Sequence, residues 1–147
     1  VSVGGHYSAG EGPATAGPRE IMEELGLAVS FDSLLPLGKR TFVYCFTPGV
    51  REYEFQDVYL LPLGNLTGLS FQKSEVEGAL EMDVESGIRL FQGDVSSLAC
   101  VFLAEDGVRN LLQVRPDDFV PCHDHYYLKL LQLARRYFDG ERRGLVI

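Results

Sequence analysis

Three glutamates at helical spacing constrain this chain more than any other feature. Glu20, Glu23 and Glu24 stand at i, i+3 and i+4, so a helix carries all three on one side. The residues around them fit a helix only over a short stretch. Upstream, residues 4–18 (GGHYSAGEGPATAGP) are rich in Gly, Pro and Ala and read as a loop. From Arg19 to Leu25 apolar Ile21, Met22 and Leu25 alternate with charge, and Gly26 follows where a helix ends. Pro18 opens a helix readily but is costly inside one. Either the helix begins near Pro18 and is short, or a longer helix is kinked there.

Three like charges on one face repel unless a cation neutralises them. An oxygen-only, carboxylate-rich set suits Mg²⁺ or Mn²⁺. A solvated acidic helix face is the competing reading of the same residues. Arg19 lies one turn before Glu23 and can reach the loop carrying Glu11. Its planar fork is suited to clamp that loop to the helix, and Gly5 and Gly10 let the loop turn tightly.

Read together, these residues spell G-x5-E-x7-R-E-U-x-E-E-x-G-U, with U apolar: Gly5, Glu11, Arg19, Glu20, Ile21, Glu23, Glu24, Gly26 and Leu27. The seven fixed identities, at about 7% usage each, recur by chance at roughly 10⁻⁸ per start position. The segment resembles the Nudix box, the signature of hydrolases acting on nucleoside diphosphates linked to another moiety. The resemblance implies a Nudix-type α/β/α sandwich with a mixed sheet. It implies that Glu20, Glu23 and Glu24 hold divalent cations, with one of them also serving as base. Arg19 would fix the catalytic helix, and Glu11 would be partly structural and sometimes assist the metal. Glu75 falls where many members place a further carboxylate near the metals, and His6 follows the loop glycine as a substrate contact or a loop cap. Glu77 is a weaker candidate of the same kind.

A looser likeness covers most of residues 3–138. GHYSAGE, EFQDVYL (54–60) and QKSEVEG (72–78) resemble the branch related to isopentenyl-diphosphate isomerase. Those isomerases use a degenerate box and a catalytic cysteine in an earlier segment. Here the box is intact, so hydrolysis is favoured over isomerisation, and a non-catalytic ligand-binding module is the third reading. Two departures stand out. Gly17-Pro18 precedes Arg19 where the family prefers helix formers, and only three residues precede Gly4, so the domain is expected to lack its N-terminal strands.

The rest of the chain fits one domain over residues 1–138 with a mobile tail at 139–147. Strands are expected at 41–46 and 55–61, joined as a hairpin through TPGVRE, and at 77–84, and 96–103 is a further strand-sized apolar run whose periodicity also admits a short buried helix. Short helices are expected at 84–91, stopped by Gly93, and at 126–137, entered through Asp124 as N-cap. Strands mixed with few helices argue an α/β or α+β sandwich.

Of 147 residues, 46% are hydrophobic and 23% charged, which is ordinary globular usage. No run approaches the roughly 20 apolar residues that span a bilayer. The net charge of −8 argues against a nucleic-acid polymer as partner but leaves room for a small diphosphate carried with a metal ion. Homodimers are common in the family. Cys45, Cys100 and Cys122 are odd in number and widely spaced, and no signal peptide is visible in the first thirty residues. They read as reduced thiols in a cytoplasmic protein, with Cys45 and Cys100 buried as small hydrophobes.

Other residues take ordinary readings. Cys122, His123, Asp124 and His125 are too close in sequence to converge on zinc. Tyr7, Phe42, Tyr44, Tyr53 and Phe55 are expected mainly in the core, with stacking on a ligand as the alternative. Glu54 and Asp57 are hairpin charges or substrate contacts. Lys39, Arg40 and Arg51 are expected to be solvated.

Overall fold

The computed structural model describes residues 3–47 and 49–147. The chain is mixed α/β, with three α-helices among the described residues and two small antiparallel sheets. It divides into two compact units: Val1–Leu35 with Leu61–Glu81 and Val101–Leu112, and Pro36–Leu60 with Met82–Cys100 and Gln113–Ile147. No helix among the described residues is long and apolar enough to cross a membrane.

The first unit holds α1 (Pro13–Leu25). Of the two alternatives left by Pro18, the longer helix is the one that forms. Pro13 sits in the first turn, where a missing N–H costs nothing. Pro18 lies inside and has no N–H to offer the preceding turn. What holds that weakened stretch is packing: Ala16, Ile21 and Leu25 are buried. Gly26 ends the helix with φ 67° and its N–H on the Met22 carbonyl at 3.0 Å. The next chain segment satisfies further C-terminal carbonyls. Ser70 donates to Leu25 at 2.9 Å, and Gln72 donates to Glu24 at 3.1 Å. Ser70 lies so close to Gly26 that a Cβ there would meet it. Leu25, Phe71 and Ala79 form the local core, with Val3, Leu27, Leu69, Val76 and Leu103 packed around it.

The strands beyond fall in two sheets. The long hairpin of β1 (Leu35–Thr47) and β2 (Val50–Leu60) forms where the two aromatic runs predicted it. The other sheet has the order β3 (Gly78–Glu81), β4 (Leu98–Ala104), β5 (Arg109–Val114). In it β3 runs antiparallel to β4, from Gly78 opposite Ala104 to Glu81 opposite Val101. No sequence pattern announced β5: RNLLQV is short and poor in β-branched residues. The turn before it creates the strand. Gly107 adopts φ 81°, Asp106 Oδ1 accepts from the Val108 N–H at 2.9 Å, and Ala104 N–H reaches the Val108 carbonyl at 2.9 Å.

In the second unit α2 (Val84–Gln92) packs against α3 (Tyr126–Phe138). Gly87 permits the approach, since a Cβ there would meet Met82 and Leu131. Leu90 and Leu133 are buried in this unit. Phe91, Phe119 and Tyr127 stack at centroid separations of 5.1–5.3 Å.

Five expectations need correction here. Residues 139–147 are not a loose tail: Leu145 is buried, and the Ile147 N–H bonds the Leu37 carbonyl at 2.8 Å. Asp124 does not cap α3. His125 takes that place in a left-handed conformation, φ 56°, and Asp124 pairs with Arg40 at 3.1 Å. Tyr7, Tyr53 and Phe55 are exposed rather than core, and so is Cys45, whereas Cys100 is buried. Arg40 is not solvated: its side chain is 8% exposed, and its guanidinium lies 3.8 Å from the Tyr126 ring centroid.

Candidate functional site

The loop before α1 and the helix itself bring the predicted residues together through Arg19. A guanidinium has five N–H donors, and here all five are used. Nε donates to Glu11 Oε1 at 3.0 Å, and Nη2 donates to Glu11 Oε2 at 2.8 Å and to the His6 carbonyl at 3.3 Å. Nη1 donates to Glu20 Oε1 at 2.9 Å and to Glu23 Oε2 at 3.0 Å. The expected clamp between helix and loop is therefore present, and Pro18 does not disturb it. Glu11 is held from its own side too, by the Ser8 N–H at 2.9 Å. The Arg19 guanidinium, with that backbone bond, lowers the Glu11 carboxyl from its usual 4.5 to about 2. Gly5 lies against Glu20, whose side chain a Cβ there would displace.

The three helix carboxylates are not equivalent. Glu24 lies on the apolar stripe with Ile21 and Leu25 and is buried, 8% exposed. Glu20 is mostly buried, while the Glu23 side chain is 49% exposed. Burial raises the Glu24 carboxyl above its usual range, and the charges of Glu20 and Glu75 add to the effect. The Gly4 N–H opposes it, and Glu23 contributes a further small rise.

Glu75 is exposed, yet its charge is felt at Glu24. Its position follows from the segment that caps α1. Gln72 bonds the Glu24 carbonyl, the Glu75 and Val76 N–H groups close a turn on the Gln72 carbonyl at 2.9 Å, and Gln72 Nε2 reaches Glu75 Oε1 at 3.5 Å. Gln72 and Ser70 are thus supporting residues that no motif marked. Glu77 is exposed. His6 is exposed and contributes its backbone carbonyl to Arg19.

The other candidates belong elsewhere in the chain. Asp57 pairs with Lys39 at 2.7 Å, and Glu54 accepts from Gln56 at 2.7 Å, so both serve the hairpin. A cleft of about 490 Å³ between the start of α2 and the end of α3, lined by Met82, Glu85, Arg135 and Phe138 among others, contains none of the box residues.

Toward a cation the three helix glutamates would present oxygen donors alone, the kind that hard divalent cations take. Glu24 is buried with the charges of Glu20, Glu75 and Glu23 acting on it, and Arg19 bonds Glu20 and Glu23. Among the described residues no three Asp, Glu, His or Cys side chains converge on a single point that would hold an ion. Glu20 and Glu23 are engaged by Arg19 instead.

No family model, curated protein or solved structure matches this chain.

Proposed function

We propose that residues 5–27 form the catalytic centre of a Nudix-type hydrolase that cleaves a diphosphate linkage in a nucleoside diphosphate derivative or a related organic diphosphate. The observation that carries the reading is the single guanidinium that ties Glu11, Glu20 and Glu23 together beside a buried Glu24. A merely solvated acidic face needs none of this. It has no reason to bury a carboxylate on the apolar stripe, or to commit every donor of an arginine to the surrounding loop and helix.

Each residue has a role in this reading. Glu20, Glu23 and Glu24 would hold the cation. Mg²⁺ or Mn²⁺, when bound, supplies positive charge to the phosphoryl oxygens as negative charge builds there. One of the three carboxylates takes the proton from the attacking water. Arg19 positions Glu20 and Glu23 and fixes the loop through Glu11. Glu75 adds negative charge near Glu24, and His6 lies in the same loop as a substrate contact. The fold that goes with this reading is the Nudix sandwich, and its compartment is the cytoplasm.

The test is phosphate release from a panel of diphosphates: nucleotide sugars, dinucleotides, ADP-ribose, nucleoside triphosphates and isopentenyl diphosphate. Coupled phosphatase reveals phosphomonoester products, and each reaction is run with Mg²⁺ or Mn²⁺ and with chelator. Cleavage of a panel member that chelator abolishes supports the hydrolase. Conversion of isopentenyl diphosphate without phosphate release would overturn it in favour of an isomerase. Tight binding of a panel member without turnover would overturn it in favour of a binding module.

A further inference from the structure

Four of the five Arg19 bonds go to carboxylates, at similar lengths but in two different geometries, and the fifth goes to the His6 carbonyl. On one side Nε and Nη2 grip both oxygens of Glu11 in parallel, at 3.0 and 2.8 Å. The Glu11 side chain is 9% exposed, and the Ser8 N–H holds it in turn. That is the bidentate geometry in which arginine binds a carboxylate best. On the other side one nitrogen, Nη1, is shared between Glu20 and Glu23. Each of those carboxylates receives a single bond from it, and Glu23 is half open to solvent.

We infer that Arg19 is a resident counter-ion: Nη1 neutralises Glu20 and Glu23 when no divalent cation is bound, and cation binding breaks its two bonds while those to Glu11 persist. The inference rests on the hydrolase reading, which makes Glu20 and Glu23 cation ligands. The physical reasons are charge and geometry. A divalent cation binds carboxylate oxygens at 2.0–2.1 Å when it is Mg²⁺, closer than the N–H bonds it replaces. A guanidinium left between the same two carboxylates would face that cation across a few ångströms, and the repulsion is largest in a partly buried setting. The guanidinium is planar and fixed on Glu11, so Glu20 and Glu23 are the groups that let go, turning from Nη1 to the cation. Arg19 is therefore a positioning residue that keeps the acidic helix face folded before the metal arrives and competes with the metal for two ligands.

The experiment titrates Mg²⁺ alone into protein labelled with ¹⁵N at arginine and follows the Arg19 side chain by NMR. The expected result is faster rotation and exchange of the Nη1 protons with the Nε–H signal unmoved. In parallel, calorimetry with Mn²⁺ alone compares the unaltered chain with Arg19→Gln and Arg19→Lys. Competition predicts that Arg19→Gln binds Mn²⁺ at least about threefold more tightly, with Arg19→Lys between the two. A purely structural role predicts the reverse, because the loop would come off the helix. Mg²⁺ binding that leaves the Nη1 protons unchanged overturns the inference and leaves the hydrolase standing. So does equal or weaker Mn²⁺ binding by a folded Arg19→Gln. Absence of Mg²⁺ and Mn²⁺ binding in the unaltered chain and in folded variants overturns both.

Discussion

Helices α1 and α2 each end on a left-handed glycine, Gly26 and Gly93, and there the likeness stops. In α2 Asp83 caps the first turn by accepting from the Ser86 N–H at 2.9 Å. Its buried residues are apolar or glycine, and it packs against α3. In α1 the N-cap is Gly12 with no side-chain bond, Gly17 and Pro18 lie inside, and the buried face includes Glu24. One helix has a side-chain cap and is held by apolar packing. The other lacks a side-chain cap, carries Gly17 and Pro18 inside, and adds an arginine network and the 70–72 segment to the packing of Ala16, Ile21 and Leu25. A helix that gives up cap, propensity and an apolar position, and recovers order through a polar network, is organised around charge. That contrast supports the proposal that α1 carries the chemistry.

The contrast can be broken at several points. Leu90→Ala should cost about 2–5 kcal/mol of stability by denaturant unfolding, as a buried leucine lost to a cavity does. A folded sample should nonetheless bind Mn²⁺ as before. A loss below about 0.5 kcal/mol would mean that α2 is not held by its core. Glu23→Gln should cut turnover by at least roughly two orders of magnitude with the circular dichroism spectrum unchanged. Wild-type rates would remove Glu23 from the site. Asp83→Ala should cost about 1 kcal/mol through the lost cap and leave turnover untouched.

The smallest effect is in the pH dependence, and it has opposite signs at two glutamates of the first unit. Glu11 is lowered to about 2 in the folded chain. Its contribution to stability is present above the ordinary value of 4.5 and is lost as pH falls from there towards 2. Glu24 is raised, so the folded chain keeps a proton that the unfolded chain has released. Stability from this group therefore falls as pH rises from 4.5 through its folded value. Melting temperature against pH should show Glu11→Gln flattening the acid limb and Glu24→Gln flattening the decline above 4.5. The same slope in both variants as in the unaltered chain would contradict these assignments.

Much of this was legible in the sequence because it is local. Period and turn chemistry placed the hairpin, α2 and α3, and the spacing from Glu11 to Arg19 and Glu23 anticipated the clamp. The first turns of α1 look like loop in the sequence, because Pro, Gly and Ala give no amphipathic signal. Burial of Ala16 and the closeness of Gly17 to Leu34 hold them in the helix. What was illegible depends on contacts far apart in the chain. Arg40 and Asp124 are separated by 84 positions, and no local pattern tells a solvated arginine from one buried over Tyr126. The docking of Ile147 on Leu37 and the support of Glu24 by Gln72 are of the same kind. Within the site, sequence showed three glutamates on one side of a helix, but only packing reveals that Glu24 is the buried one.

Glu24 is accordingly the residue on which the account turns. The most direct measurement is metal-dependent phosphate release by Glu24→Gln beside the unaltered chain, on whichever diphosphate the panel identifies, with thermal melts of both. The account predicts chelator-sensitive release by the unaltered chain, at least roughly two orders of magnitude less from the variant, and a variant that melts no lower. Release by Glu24→Gln at the unaltered rate would contradict it.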